Sequence, residues 1–142
     1  MVTEREFSCG GVVVRGTDCI VIVPTRRAAG GTQVLALPKG HPENGESPAD
    51  AALREVREEA GVEATVRERL GNVRYWYQRD GLRIAKTVTF FLLDYVSGEP
   101  GDHDHEVEHA RWIGLEEAAR SLSYQGERDM AARALLRALP SG

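Results

Sequence analysis

Residues 40–62 read GHPENGESPADAALREVREEAGV. Ser47 followed by Pro48 is a helix start, because a serine hydroxyl caps free backbone N–H groups and proline needs no N–H in a first turn. Ala49, Ala52, Leu53, Val56 and Ala60 recur at the i, i+3, i+4 spacing of a buried stripe. Gly61 stands where a left-handed cap would end the helix. The spacing predicts a helix over 48–60. At about 100° per residue, Glu55, Glu58 and Glu59 share one side of it, flanking the apolar stripe at the edge of the core. Carboxylates at this spacing repel one another and add nothing to folding by themselves. A divalent cation would turn that repulsion into ligation, and hard oxygen donors favour Mg2+ or Mn2+. Arg54 can reach Glu58 one turn on, or fold back to Glu46. Gly40 has no side chain to keep its carbonyl from a metal.

Around this stretch, apolar and β-branched runs predict strands over 7–15, 19–25 and 33–37, the last ended by Pro38 and followed by a loop over 38–47. Residues 26–32 read as a polar, glycine-rich turn. Downstream, 62–77 reads as one or two strands bent at Gly71-Asn72, and Arg79-Asp80-Gly81 as a hairpin turn. Residues 83–96 read as the longest strand, 97–105 as a loop, 107–113 as a strand, 115–122 as a short helix and 126–139 as a closing amphipathic helix. This mixed order predicts an α/β (α+β) fold, a single domain over 1–142 with a mixed sheet covered by helices.

The chain has 142 residues, of which 42% are hydrophobic and 28% charged, an ordinary globular balance. No apolar run approaches the roughly 18–20 residues of a membrane span, and no leader-like apolar segment opens the chain, so a cytoplasmic location without membrane contact is expected. The net charge of −4 gives no reason to expect a nucleic-acid polymer as partner. It also means that a metal ion or a local Lys/Arg cluster must offset repulsion of an anionic substrate. Cys9 and Cys19 lie in apolar stretches and are expected to be buried and free. His103, His105 and His109 are expected to be exposed loop residues.

The spaced pattern is Gly40, five residues, Glu46, seven residues, then Arg54-Glu55-Val56-Arg57-Glu58-Glu59-Ala60-Gly61-Val62. It resembles, at each specified position, the signature of the Nudix hydrolases. Gly10-Gly11, the approach Leu37-Pro38-Lys39-Gly40-His41 and the strand-rich stretch before the last helix also look like that family. The resemblance implies a Nudix fold, a mixed β-sandwich flanked by helices, with the signature as a loop–helix–loop. It implies a metal-dependent hydrolase that uses water to cut a diphosphate linkage in a nucleotide-like substrate. By the same resemblance Glu55 and Glu59 are metal ligands helped by the Gly40 carbonyl, Glu58 is a ligand or the base, and Glu46 and Arg54 orient them. Glu106 stands where family members often carry a further metal-binding or base carboxylate.

Three features resemble the branch that hydrolyses diadenosine polyphosphates: Lys39 and His41 at the entry to the signature; Tyr75 and Tyr77 followed by Arg83 and Lys86; and Tyr124 before the last helix. That resemblance implies tyrosines stacking an adenine and basic residues, with Arg74 alongside, holding phosphates. The branch often has a Trp two residues before its Leu-Pro-Lys-Gly, where this chain has Leu35. Asymmetric cleavage of diadenosine tetraphosphate or a related dinucleoside polyphosphate is therefore expected, by a monomer or homodimer. The alternatives are a MutT-like sanitising enzyme for oxidised nucleoside triphosphates and a non-catalytic sensor of a nucleotide metabolite.

Overall fold

β1 (Thr3–Arg15) is buried at every position from Ser8 to Val14, the pattern of a strand covered on both faces. It pairs antiparallel with β2 (Asp18–Pro24) and with the two-residue β3 (Lys39–Gly40). α1 (Pro48–Ala60) follows. β4 (Val62–Arg79) and β5 (Leu82–Gly98) form a long antiparallel hairpin, and β5 runs parallel to β1. β6 (Val107–Gly114) pairs antiparallel with β2, giving the mixed order β4-β5-β1-β2-β6. α2 (Leu115–Ser121) and α3 (Gln125–Ala138) close the chain. This computed structural model describes residues 3–138.

Alternate residues of the same strands feed two cores. Val13, Ile20, Ile22 and Leu93 pack with Ala52, Val56 and Ala60 of α1 on one face. Val12, Val21, Phe90 and Leu92 pack with Leu115 of α2, Leu122 just after it and Met130 of α3 on the other. The mixed α+β reading holds, with helices on both faces of the sheet. α1 has the predicted bounds: the Ser47 hydroxyl accepts from Asp50 N at 3.1 Å, and Gly61 caps the helix at φ 74°. Both cysteines are buried and free. No helix among the described residues is long and apolar enough to cross a membrane.

The strand expected over 33–37 is instead a single bridge, in which Ala36 exchanges two backbone hydrogen bonds with Ile22. Its neighbours are taken by side chains: Leu35 N donates to Ser123 Oγ at 2.8 Å and Leu37 N to Glu127 Oε1 at 2.7 Å. The strand pairing moves to Lys39–Gly40, inside the predicted loop. Residues 62–79 form one strand with three register irregularities rather than two strands meeting at a bend. β4 has 18 residues against 17 for β5, so the predicted longest strand is second. Strand β5 also runs to Gly98, into the loop predicted from residue 97. The predicted end of the last helix, Leu139, lies outside the described residues.

Replacing Gly61 by alanine is expected to lower stability by about 2 kcal/mol, read as a shifted denaturant midpoint with unchanged slope. The backbone there is left-handed, and a Cβ would meet the Asp102 carbonyl carbon at 2.6 Å. An unchanged midpoint would refute the cap.

Candidate active site

The C-terminal half of α1 lies against β3, and Gly40 is the point of closest approach. A Cβ on Gly40 would overlap the Glu55 carboxyl group, so glycine is what lets that carboxylate lie on the strand. Glu55 is buried, with 9% of its surface exposed. Burial pushes its carboxyl up from the ordinary value, against the lowering effect of Arg54. Glu59, one turn on, accepts the Lys39 backbone N–H at 2.8 Å through Oε1. Burial raises its carboxyl to about 8. Its second oxygen has no hydrogen-bond partner among the described residues.

Arg54 gathers the remaining acids. Its Nε and Nη2 donate to the two oxygens of Glu46 at 2.9 and 3.0 Å, and Nη2 also donates to the His41 carbonyl at 2.9 Å. Nη1 lies 3.0 Å from Glu55 Oε1 and 3.2 Å from Glu58 Oε2. The hydrogen bonds from Arg54 hold the Glu46 carboxyl below its ordinary value. Arg54 therefore does both things the spacing allowed, reaching Glu58 and folding back to Glu46. Among the described residues no three His, Cys, Asp or Glu side chains converge as a ready metal cage. The donor chemistry still fits a hard divalent cation. Two carboxylates, Glu55 and Glu59, are held uphill of ionisation by burial beside a side-chain-free backbone, and such a cation would offset that cost.

Gly40, His41 and Glu59 line a cleft of about 780 Å3 together with Lys39, Lys86, Tyr75, Tyr77, Tyr124 and Glu106. Lys39 Nζ pairs with Glu127 Oε2 at 2.9 Å and lies 5.6 Å from the centre of the Tyr124 ring. Burial works against the Lys39 charge, but Glu127 outweighs it and holds the ammonium above its ordinary value. Lys86 is pushed the other way, by burial and by Lys39. Tyr77 is tied to Glu6, and its ring centre lies 6.3 Å from that of Tyr75. Tyr75 and Tyr124 also line a second cavity of about 570 Å3, floored by Val88, Phe90 and Met130. The backbone of Glu106 anchors the cleft edge, its carbonyl accepting from Thr25 N at 3.0 Å.

Two expected members do not join this constellation. Lys86 pairs across the strands with Tyr75, while Arg83 pairs with Gln78 and stacks on Trp76, its Cζ 4.0 Å from the ring centre. Strand alternation therefore turns Arg83 to the opposite face of the sheet from the cleft. Arg74, opposite Thr87, alternates the same way. Arg26, read only as part of a turn, lines the cleft with Lys39 and Lys86. Glu127 was also not anticipated. It is 3% exposed, and it carries both Lys39 and the Leu37 N–H. Its one signal is a carboxylate on the buried stripe of a helix, at Glu127, Met130, Ala131 and Ala134.

A family model described as the NUDIX domain matches residues 7–134. MutT4 of Mycobacterium tuberculosis is 38% identical over 136 residues, covering 92% of this chain; the chain spans 55% of that protein's length. The asymmetrical bis(5′-nucleosyl)-tetraphosphatase of Sus scrofa is 36% identical over 105 residues, covering 70% of this chain and 68% of its own. A NUDIX hydrolase from Nitrosomonas europaea superposes with a TM-score of 0.74 at 20% identity, over 92% of this chain and 88% of that one. A C. elegans Ap4A hydrolase complex superposes with a TM-score of 0.67 at 21% identity, over 94% and 99% of the two chains. At these identities the two structures speak for the fold.

Arg54→Lys is expected to lower stability by about 1–3 kcal/mol, because a lysine cannot serve four acceptors in one plane. A melting temperature within a degree of the parent would show that the guanidinium does not hold the loop to the helix.

Proposed function

The chain belongs to the Nudix family of hydrolases, which act on phosphoric anhydrides and generally use divalent metal ions such as Mg2+, and on that premise we propose that it cuts dinucleoside polyphosphates asymmetrically. In this reading residues 1–142 act as one hydrolase domain, and a dinucleoside tetraphosphate leaves a nucleoside triphosphate and a nucleoside monophosphate. The observation that carries the reading is one cleft whose lining brings together Gly40 and Glu59 of the signature, the cations Arg26, Lys39 and Lys86, and the rings of Tyr75, Tyr77 and Tyr124. Glu55 and Glu59, with the Gly40 carbonyl, hold Mg2+. Bound there, the ion neutralises phosphate oxygens and lowers the pKa of water.

The chain's own residues do the rest. Glu58 is the most exposed of the three helix carboxylates, and it takes the proton of the attacking water. Arg54 and Glu46 keep the loop and helix at fixed distance, so that the acids do not spring apart. Glu106, on the far rim, is a further carboxylate for the same work. Lys39, Lys86 and Arg26 line the path of the polyphosphate with His41, whose Nδ1 lies 2.9 Å from the Phe7 carbonyl. Tyr75 and Tyr124 offer rings on which a base stacks without its edge being read, an interaction worth about 1–3 kcal/mol. Tyr77 is held by Glu6 and supports the Tyr75 ring. The tetraphosphatase relatives favour this reading. The likeness to MutT4 favours a second, a sanitising hydrolase of oxidised nucleoside triphosphates.

Diadenosine tetraphosphate and an oxidised nucleoside triphosphate, compared by kcat/KM in oxygen-18 water, separate the two. The tetraphosphate should be the better substrate, and Lys86→Ala combined with Tyr124→Ala should remove the advantage. Preference for the oxidised triphosphate would establish the second reading instead. Glu58→Gln and Glu59→Gln should each lower kcat at least about a hundredfold with the fold retained. Chelation should abolish turnover, and Mg2+ should raise the melting temperature of the parent but not of Glu59→Gln. Full activity after exhaustive chelation would sink the metal assignment.

A further inference from the structure

Away from the cleft, the ends of β1, β4 and β5 carry a second surface. Cross-strand partners point to the same face of a sheet. The register sets Arg5 beside Ala85 and Trp76, Phe7 beside Thr87 and Arg74, and Arg83 beside Thr3 and Gln78. Arg69, opposite Phe91 and hydrogen-bonded to Asn72, belongs to the same face. One face therefore carries four arginines around two aromatic rings. Phe7 is 57% exposed and Trp76 55%. The carboxylates of these strand ends, Glu4 and Glu6, alternate to the other face, where Arg79 pairs with both. Among the described residues none of the four arginines is in an ion pair.

In a chain of net charge −4, this segregation is not what folding requires. Rings this exposed bury little apolar surface, even with Arg83 stacked on one face of Trp76, and clustered guanidinium groups repel one another. We propose that this face binds a single-stranded nucleic acid, its bases stacking on Phe7 and on the face of Trp76 that Arg83 leaves open, and its phosphates held by Arg5, Arg69, Arg74 and Arg83. Guanidinium forks match phosphate oxygens in pairs. Sheets that bind single strands combine aromatic platforms with cationic tracks in this way. Phe7 and Trp76 lie two strands and two residues apart, about 12 Å by the usual strand spacing and rise. Neighbouring stacked bases are only about 3.4 Å apart. The two rings therefore suit bases splayed from an extended strand, and a duplex, with its bases stacked inside, offers neither ring a face. The charge balance of the whole chain argued against a polynucleotide; alternation along three strands is what sorts the charge. The proposal does not depend on which small substrate the cleft cuts.

Fluorescence anisotropy of labelled U12, dT12 and a twelve-base-pair duplex, in chelator at low salt, tests it. One or both single strands should bind, at least about tenfold more tightly than the duplex, and the affinity should fall steeply with salt. Trp76→Ala, and separately Arg5→Ala with Arg74→Ala, should each weaken binding at least about tenfold while the melting temperature holds. All three side chains are exposed, so if one variant fails to fold the other still decides. No binding by the parent at about 100 μM, equal binding of the duplex, or binding that the variants leave untouched would overturn the proposal. So would a dimer in size-exclusion chromatography that Trp76→Ala dissolves, since a second copy would then cover the face.

Discussion

Everything at the acidic wall depends on one guanidinium. Glu46 comes from the loop, Glu55 and Glu58 from the helix, and all three would repel if left to themselves. Arg54 binds all three and the His41 carbonyl as well, so loop and helix hold a single arrangement. It is largely buried, with 15% of its side chain exposed. Solvent therefore screens these contacts less than it would those of a surface pair. Beside Gly40, burial still outweighs the pull of Arg54 on Glu55 and of Lys39 on Glu59, so both carboxyls stand above their ordinary values.

That division of labour explains why the glycines count. Gly40 and Gly10 are close-approach positions: one admits the Glu55 carboxylate, the other lets Lys39 cross β1. A side chain at Gly10 would push β3 off the central strand, and one at Gly40 would displace the Glu55 carboxylate.

Much of this was legible in the sequence because it is local. The cap at Ser47, the apolar stripe of α1, the left-handed Gly61 and the reach of Arg54 to Glu46 and Glu58 all follow from spacing within one helix and one loop. What the sequence hid is what depends on pairing at a distance. Arg83 and Lys86 are three residues apart and read as one basic track, yet a strand puts them on opposite faces. Residues 33–37 have the composition of a strand, but the N–H groups of Leu35 and Leu37 are claimed by Ser123 and Glu127 from far along the chain. Glu127 reads as one more charge on a helix until its partners, Lys39 and Leu37, are brought against it.

The Glu127 contact has a consequence for the order in which the protein comes into being. Leu37 donates to a carboxylate 90 residues later in the chain, and the central strand β1 completes its pairing only when β5 has been made. During synthesis at about 5–20 residues per second, the first forty residues leave the ribosome seconds before either partner exists. An N-terminal strand with long apolar edges must wait through that interval. Segment 8–14 is without its β5 partner throughout that interval, and the cleft cannot be complete before Lys86 and Tyr124 have been made.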